Sequence, residues 1–405
     1  MKLKSYPAYK NSGILWLGEI PAHWNIEKNA HHFDAKKGGN AAQLTKEFCT
    51  TIEGKYPVYS GQTENDGVMS NIDKFEFDAG DRGYLFSTTV GAKAMTLMHL
   101  KGRFSLSQNC LVIVPKSEEI SVRYFYYSLQ PLFIFERDLI PEHMQASFRM
   151  EDFYQYRIPF PTKQEQANIA NFLDLETSKL DALISKQEQL IDRFNERIIA
   201  TVMGALLSTE TQYIRLAHVC EVISRPVNQS SENAFTRLGV LNRGRGLFKR
   251  EETDSEDMGD SDFFWVKNGD LVLSGQFAWE GSVAMANDEH EDCVVSHRFP
   301  IIKGKPGVVL TEYLLALFMT SHGDFLLNEN SRGSAGRNRP LNMSLLLKEK
   351  IPIASMAVQN EVSNLLRLQK KLKDKALIQI DLLKEHRTAL ISAAVTGKID
   401  VREAA

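Results

Sequence analysis

Hydrophobic positions along the 405-residue chain follow two signatures in turn, and the whole succession occurs twice. Short runs rich in Val, Ile, Phe and Tyr, bounded by Gly, Asn, Asp and Pro, predict strands. They are YPVYS (56–60), GYLFS (83–87) and CLVIVP (110–115), then DLVLSG (270–275) and VVSHRFPIIK (294–303). A helix-like run follows each set, SVRYFYYSLQ (121–130) and TEYLLALFMT (311–320), then a polar loop, an Ile-Pro segment and a long amphipathic stretch. In the first of these stretches apolar residues fall at 169, 172/173, 180, 183/184, 190/191, 194, 198 and 202. In the second they fall at 358, 362, 365/366, 372, 376/377, 380, 383, 390/391 and 394/395. Steps of three and four predict helices with a seam narrow enough for a helical partner. The expected seam is Leu173, Leu180, Leu183, Leu190 and Phe194 on one helix and Leu366, Leu372, Ile380, Leu383 and Leu390 on the other. An ordinary buried helix face gives the same stripe, but two matched helices favour pairing with each other. Thr177-Ser178 ahead of Asp181 reads as a helix start, so a break is expected near 174–177. Gly204 and Gly397 stand where a left-handed residue would end each helix.

The two successions are copies of one another. Placed 193 positions apart, Ile158, Pro159, Gln166, Asn171 and Leu173 meet Ile351, Pro352, Gln359, Asn364 and Leu366 unchanged. FEFDAGDRGYLFS (75–87) meets FWVKNGDLVLSGQ (264–276) at 189, GAKAM (91–95) meets GSVAM (281–285) at 190, and Ser107 meets Ser296 at 189. Ordered offsets near 190 indicate a doubled domain, not a solenoid of short repeats. The expected fold class is therefore mixed α+β: two similar globular domains separated by long antiparallel helices, related by a pseudo-twofold. Residues 177–203 as helix would span about 40 Å, close to one turn of B-DNA, the separation of half-sites under a twofold DNA reader.

Composition narrows the chemistry. At 43% hydrophobic and 24% charged residues the chain reads as globular, and no apolar run reaches the roughly 18–20 residues of a membrane span. The first residues carry no sustained apolar core of a secretory signal, so a cytoplasmic protein is expected. Cys49, Cys110, Cys220 and Cys293 form neither a zinc pattern nor a disulfide framework. A net charge of −3 gives no general support for nucleic acid, so that reading rests on local features. There is no Pro-Pro dipeptide, hence no (Asn/Asp)-Pro-Pro-aromatic loop of amino-methyltransferases, and no GxGxxG after a strand. VTGKID (395–400) reads as a helix C-cap, and adjacent His31-His32 point apart. A catalytically complete enzyme is disfavoured.

Polar loops remain as the candidate chemistry. NRGRGLFKR (242–250) offers Arg243, Arg245, Lys249 and Arg250 beside glycines, and SRGSAGRNRPLN (331–342) offers Arg332, Arg337, Asn338 and Arg339. The matching loop of the first copy, EHMQASFRMED (142–152), offers Gln145, Ser147 and Arg149. Lys37, Ser60, Gln62, Lys93, Gln108, Gln276 and His297 add polar groups near strand ends. Arginine forks suit guanine edges and phosphates, and Asn or Gln suits adenine. REETDSEDMGDSD (250–262), with seven acidic residues, is expected to be a solvated loop turned away from DNA. A helical scaffold joining two protein-binding heads also fits the periodicity, but leaves these loops without a purpose.

Three stretches carry a family resemblance: YKNSGILWLGEIPAHW (9–24), IPFPTKQEQANIANFLDLETSKLDALISKQEQLI (158–191) and ALISAAVTGKIDVRE (389–403). They resemble the N-terminal, central and C-terminal signatures of specificity subunits of type I restriction-modification systems. IPIASMAVQNE in the second copy departs from the usual IPxPxxxEQ-like run. The resemblance implies a non-catalytic subunit with target recognition domains at 1–157 and 205–350 and conserved helical regions at 158–204 and 351–405. Each domain would read half of a bipartite DNA target, and the helices would fix the gap and dock two modification subunits. Those adenine methyltransferases would bring S-adenosylmethionine, restriction subunits would bring ATP and Mg2+ chemistry, and this chain would hold no cofactor or metal.

Overall fold

The computed structural model describes residues 4–62, 65–141, 143–208, 211–228, 234–259, 261–333 and 339–402. The chain divides into two compact units: one runs to Ser185 and resumes from Gln379, the other is Lys186–Ile378. The first opens with the hairpin β1 (Tyr9–Asn11) and β2 (Glu19–Pro21), then β3 (Asn25–Lys28), the single turn α1 (Asn29–His32), β4 (Phe33–Lys36) and the short α2 (Lys46–Cys49). β5 (Glu53–Tyr59), β6 (Val68–Ile72), β7 (Phe77–Asp78), β8 (Tyr84–Thr88), β9 (Leu97–Leu100), β10 (Arg103–Leu106) and β11 (Cys110–Pro115) follow. Then come α3 (Val122–Asp138), α4 (Met150–Gln155), β12 (Arg157–Phe160) and the long α5 (Lys163–Leu206). The second unit repeats the order with β13 (Gln212–Arg215), α6 (Leu216–Val219), β14 (Cys220–Ile223), β15 (Ala234–Val240), β16 (Leu247–Asp254), β17 (Phe263–Trp265) and β18 (Leu271–Leu273). It closes with β19 (Val283–Met285), β20 (Cys293–Ser296), β21 (Ile301–Gly304), α7 (Thr311–Phe318), α8 (Ser321–Glu329), α9 (Met343–Leu346), β22 (Lys350–Ile353) and α10 (Met356–Val395).

The duplication read in the sequence recurs in the sheets of the two units. Sheet β6-β5-β10-β7 is matched by β16-β15-β20-β17, and β4-β11-β8-β9 by β14-β21-β18-β19. β12 pairs with β3 as β22 pairs with β13. Even the parallel pairing of β5 with β10 recurs, between β15 and β20. VVSHRFPIIK, read as one strand, is two strands in different sheets, because His297–Pro300 turns the chain between β20 and β21. The acidic run is likewise not a loop through its first part: Arg250–Asp254 belongs to β16, an edge strand of its sheet. Charge on an edge strand discourages pairing with another chain.

Each unit has its own core. In the first, Trp24, Phe33, Tyr124, Phe125 and Phe153 pack with Ile158 and Leu173, and with Ile391 and Val395 from α10. In the second, Leu271, Tyr313, Phe318 and Ile351 pack with Ile198 and Val202 from α5 and Val362 from α10. Within the first unit α5 runs against α10 in the opposite direction, with Asp181 accepting from Arg387 Nε at 3.0 Å. Within the second the same antiparallel pairing brings Asn195 to Gln369.

The seam differs from the expected one by a single residue at two places. Leu183 and Leu190 are 46% and 39% exposed, whereas Leu173, Leu180, Leu366 and Ile380 are buried. Ile184 and Ile191 turn inward in their stead, so the inward positions run 173, 177, 180, 184, 187, 191, 194, 198 in steps of three and four. Phe194, Leu372, Leu383 and Leu390 are half-buried. Polar Thr177 and Gln187 occupy two seam positions and hide the phase from a reading of apolar residues alone. Thr177 also fails to start a helix. α5 runs through it unbroken, and its hydroxyl donates to the Leu173 carbonyl at 2.7 Å, an i to i−4 bond of a helix interior. Gly204 lies within α5, two residues before its end. Gly397 does close α10: its φ is +75°, Lys398 donates to the Ala393 carbonyl and Gly397 to that of Ala394, a Schellman closure.

The repeated Ile-Pro segment is a structural joint. The Tyr124 hydroxyl donates to the Pro159 carbonyl (3.4 Å) as Tyr313 does to Pro352 (3.1 Å). Gln166, 1% exposed, accepts from Ser121 N and donates to the Pro161 carbonyl; Gln359, equally buried, accepts from Leu310 N and donates to Ala354 and Val308 carbonyls. Each glutamine ties the start of its long helix to the start of α3 or α7, which explains why it survives in both copies. Glu165 does not survive; Val358 takes its place. In the first unit Thr162 and Glu165 form a reciprocal capping box, and the carboxylate also meets His23 Nε2 (2.8 Å) and Trp24 Nε1 (3.3 Å). Burial works to lift this carboxyl's pKa, but the bonds from His23, Trp24 and Thr162 outweigh it and hold it below the usual value.

Candidate nucleic-acid interface

The candidate side chains gather at equivalent strand ends of the two units. Ser60 and Gln62 follow β5, Lys93 follows β8, Gln108 follows β10, and Gln145, Ser147 and Arg149 precede α4. In the second unit Arg243 and Arg245 follow β15, Gln276 follows β18, His297 follows β20, and Arg332 and Arg339 precede α9. Arg337 and Asn338 lie outside the described residues.

Backbone bonds, not side-chain contacts, hold each rim together. In the first unit Thr89 N donates to the Asn109 carbonyl while Phe148 N donates to the Thr89 carbonyl, both at 2.8 Å. The second unit repeats the pair: Gly275 N donates to Arg298 and Leu341 N to Gly275. Thus the turn after the central strand is clamped between the turn after β10 or β20 and the loop before α4 or α9. Ser107 N donates to the Tyr59 carbonyl, adding the turn after β5, and Gly38 abuts the Leu106 carbonyl, placing Lys37 beside the same rim.

The side chains differ in how far they are committed. Lys37, Lys93, Gln108, Gln145 and Ser147 are exposed, whereas Ser60 is buried and accepts from Gln62 N at 3.3 Å. Gln62 donates to the Val68 carbonyl at 2.8 Å, steadying its own loop. Arg149, at the head of α4, grips Asp152 with both arms at 3.0 and 3.2 Å, so its fork is occupied. Arg245 holds Asn242, and Arg332 holds Glu329. His297 is exposed and Gln276 half-buried.

One participant escaped the sequence reading. The Trp279 ring lies 5.0 Å beneath the Arg339 guanidinium, and its indole N–H donates to the Gln276 carbonyl at 3.2 Å. Arg243 adopts φ +54° in a turn whose amides dock on the carbonyls of Glu280 and Gly281. Trp279 and the 242–246 turn share an open cleft of about 1740 Å³, whose lining includes Arg367, Lys370 and Lys373 of α10 but also Glu280, Asp288 and Glu289. Beside it burial raises the Asp324 carboxyl, opposed by Arg243. The signal for Trp279 lay in SGQFAWEGS, where a tryptophan follows a strand end rather than filling one.

Among the described residues no group of His, Cys, Asp and Glu is placed to hold a metal ion, and no helix is long and apolar enough to cross a membrane. The cysteines are buried free thiols, and burial pushes Cys110 up to about 12 and Cys220 to about 11. The architecture is therefore a duplication: two like α+β units, each presenting a polar rim and each built onto long paired helices.

Comparisons with known proteins add a likeness over part of the chain. Residues 33–193 match the type I restriction modification DNA specificity domain. A type I specificity subunit of Mycoplasma pneumoniae is 31% identical over 153 residues, 36% of this chain and 40% of that protein. The N-terminal part of another from the same organism is 27% identical over 144 residues, 35% of this chain and 71% of that protein. A solved structure from work on assembly and conformational transition of the type I restriction-modification system superposes with a TM-score of 0.57. The superposition covers 93% of this chain and 98% of that one at 13% identity, a likeness of fold. Over residues 33–193 the chain is thus similar to the specificity subunits of type I restriction-modification systems, and it spans about two fifths of the length of the first of these relatives. The family match ends within α5, and the second unit is linked to it by the strand-for-strand repeat.

Proposed function

We propose that this chain is the DNA-reading, non-catalytic subunit of a type I restriction-modification complex. Its target recognition domains, 1–157 and 205–350, each read one half of a bipartite asymmetric target through the major groove. The helices of 158–204 and 351–405 set the gap between the halves and dock two modification subunits. Those subunits supply S-adenosylmethionine and methylate an adenine in each half, and restriction subunits, where encoded, add ATP- and Mg2+-dependent cleavage. The complex acts in the cytoplasm on double-stranded DNA.

The observation that carries this reading is the pair of equivalent rims, alike in backbone and unlike in side chain. A reader of two different half-sites needs that combination: one framework to present loops at a fixed place, and separate residues to meet separate bases. A protein-binding scaffold would have no need of polar rims matched in this way. The test is co-expression with the neighbouring methyltransferase and mapping of adenine methylation across a genome. A split motif with a fixed gap is expected. Methylation that is independent of this chain, or an undivided motif, overturns the proposal.

A further inference from the structure

We infer that each half carries a dedicated contact for a DNA backbone phosphate, made by two cations set opposite one another on the small sheet that leads onto the long helix. The inference rests on the DNA-reading proposal and adds residues that lie outside the rims. In the first unit, β12 pairs with β3 in the register that sets Arg157 directly across from Lys28. In the second, β22 pairs with β13 and sets Lys350 directly across from Arg215. The two pairs hold the same place in the repeat, between the short helix α4 or α9 and the Ile-Pro joint.

Directly opposed residues of an antiparallel ladder point to the same face with Cβ atoms about 5 Å apart, and like charges there repel. A sheet that only had to hold would do better with opposite or neutral partners, yet both copies set cation against cation. Among the described residues none of the four forms an ion pair; Lys28 donates to the Gln155 amide oxygen at 2.9 Å, which leaves its charge uncompensated. Arg157, Arg215 and Lys350 are exposed. In the first unit Lys10 and His31 line the same shallow groove, as does Glu27, whose carboxylate is held by His32. An anion is the natural third member of such a pair.

The repeat also indicates which anion. The rim loops of the two halves differ in sequence, as half-sites differ in bases, whereas the cation pair is common to both. What two unlike half-sites have in common is the phosphodiester backbone. The position agrees in the first unit, where the six-residue α4, about 9 Å long, and Tyr156 separate the rim residue Arg149 from Arg157.

The experiment measures DNA binding by the assembled specificity and modification subunits over a salt series, on target and scrambled duplexes. The variants are Lys28→Gln with Arg157→Gln, and Arg215→Gln with Lys350→Gln. Each pair is expected to leave the protein at least as heat-stable as wild type, because a repulsion is removed. Affinity should fall several-fold, equally on both duplexes. The slope of log affinity against log salt should shrink by about 0.9 for each phosphate released. Stable variants with unchanged slope overturn the inference alone, as does a loss confined to the target duplex. Weakened assembly with the modification subunit at an unchanged slope also overturns it, by making the pair a protein contact. A wild-type complex that binds no DNA overturns the DNA-reading proposal, and this one with it.

Discussion

Replacing Glu165 by glutamine tests how the first copy of the repeat departs from the second. The carboxylate is 5% exposed and accepts at both oxygens: His23 and Trp24 lie on one side, the Thr162 hydroxyl and amide on the other. A glutamine oxygen can keep one side, but its NH2 then faces the donors on the other. Bonds to a charged acceptor are worth roughly 1.5–3 kcal/mol each, so the net loss should be about 2–4 kcal/mol at pH 7. The sign of the pH dependence follows from the carboxyl's lowered pKa in the folded protein. A depressed folded value means that stability is fully present above the unfolded pKa, about 4.3, and is lost as pH falls through the folded one. The gap between wild type and E165Q should hold from pH 7 to about 5 and shrink below that. Urea unfolding followed by tryptophan fluorescence reads it, since Trp24 is itself a partner of the carboxylate. Equal stability at pH 7, or a gap that does not change between pH 7 and 4, would refute the reasoning.

Leu180→Ala should destabilise by about 2–3 kcal/mol, whereas Leu183→Ala should change stability by less than about 0.5 kcal/mol; denaturant melts of the two separate the observed seam from the one-residue-shifted alternative. Gln166→Ala and Gln359→Ala should each lose about 2–4 kcal/mol, because each strands a buried backbone donor and a carbonyl, and similar losses are the signature of a shared joint. Arg339→Ala removes the cation above Trp279 and should weaken binding to DNA altered in one half-site only, measured by competition with duplexes mutated in either half. Alkylation of Cys110 in the folded protein at pH 8 should be far slower than after denaturation, since burial keeps its thiol protonated.

What was legible in the sequence was whatever repeats. Ordered matches near 190 residues gave the doubled topology, and the surviving Ile, Pro and Gln gave the joint, because buried side chains and side-chain-to-backbone bonds constrain identity at a fixed place. The seam was legible as a stripe but not in phase. Adjacent apolar pairs such as Leu183-Ile184 and Leu190-Ile191 satisfy a three-four spacing either way, and polar Thr177 and Gln187 remove the residues that would decide. The break expected at Thr177 failed for a related reason: a hydroxyl that caps a helix at one site bonds back to i−4 at another, and only the neighbours distinguish the two. Loop residues could be chosen by type, yet their commitments could not be seen. Arg149 and Arg332 look as available in sequence as Arg339, until Asp152 and Glu329 are found beside them.

The weaker match of the second joint to the family pattern has its explanation in the first unit. There the segment before β3 has no counterpart in the second, where the chain passes from the end of α5 toward β13 within a few residues. That extra segment supplies His23 and Trp24, and it is fastened to the residues after α10: Asp400 N donates to the Lys4 carbonyl, and the Tyr9 hydroxyl to that of Gly397. Gly397 must stay glycine there, since a Cβ would stand 2.2 Å from Pro21 Cδ. Glu165 is the group through which the helix start answers this segment, and where the segment is missing a carboxylate would lose the two donors that His23 and Trp24 supply. Val358, half-buried, packs instead against the core of the second unit. The loss of the EQ pattern in IPIASMAVQNE is therefore no decay of the joint, whose glutamine and tyrosine bonds persist. It marks the half of the duplication that has no such segment to hold.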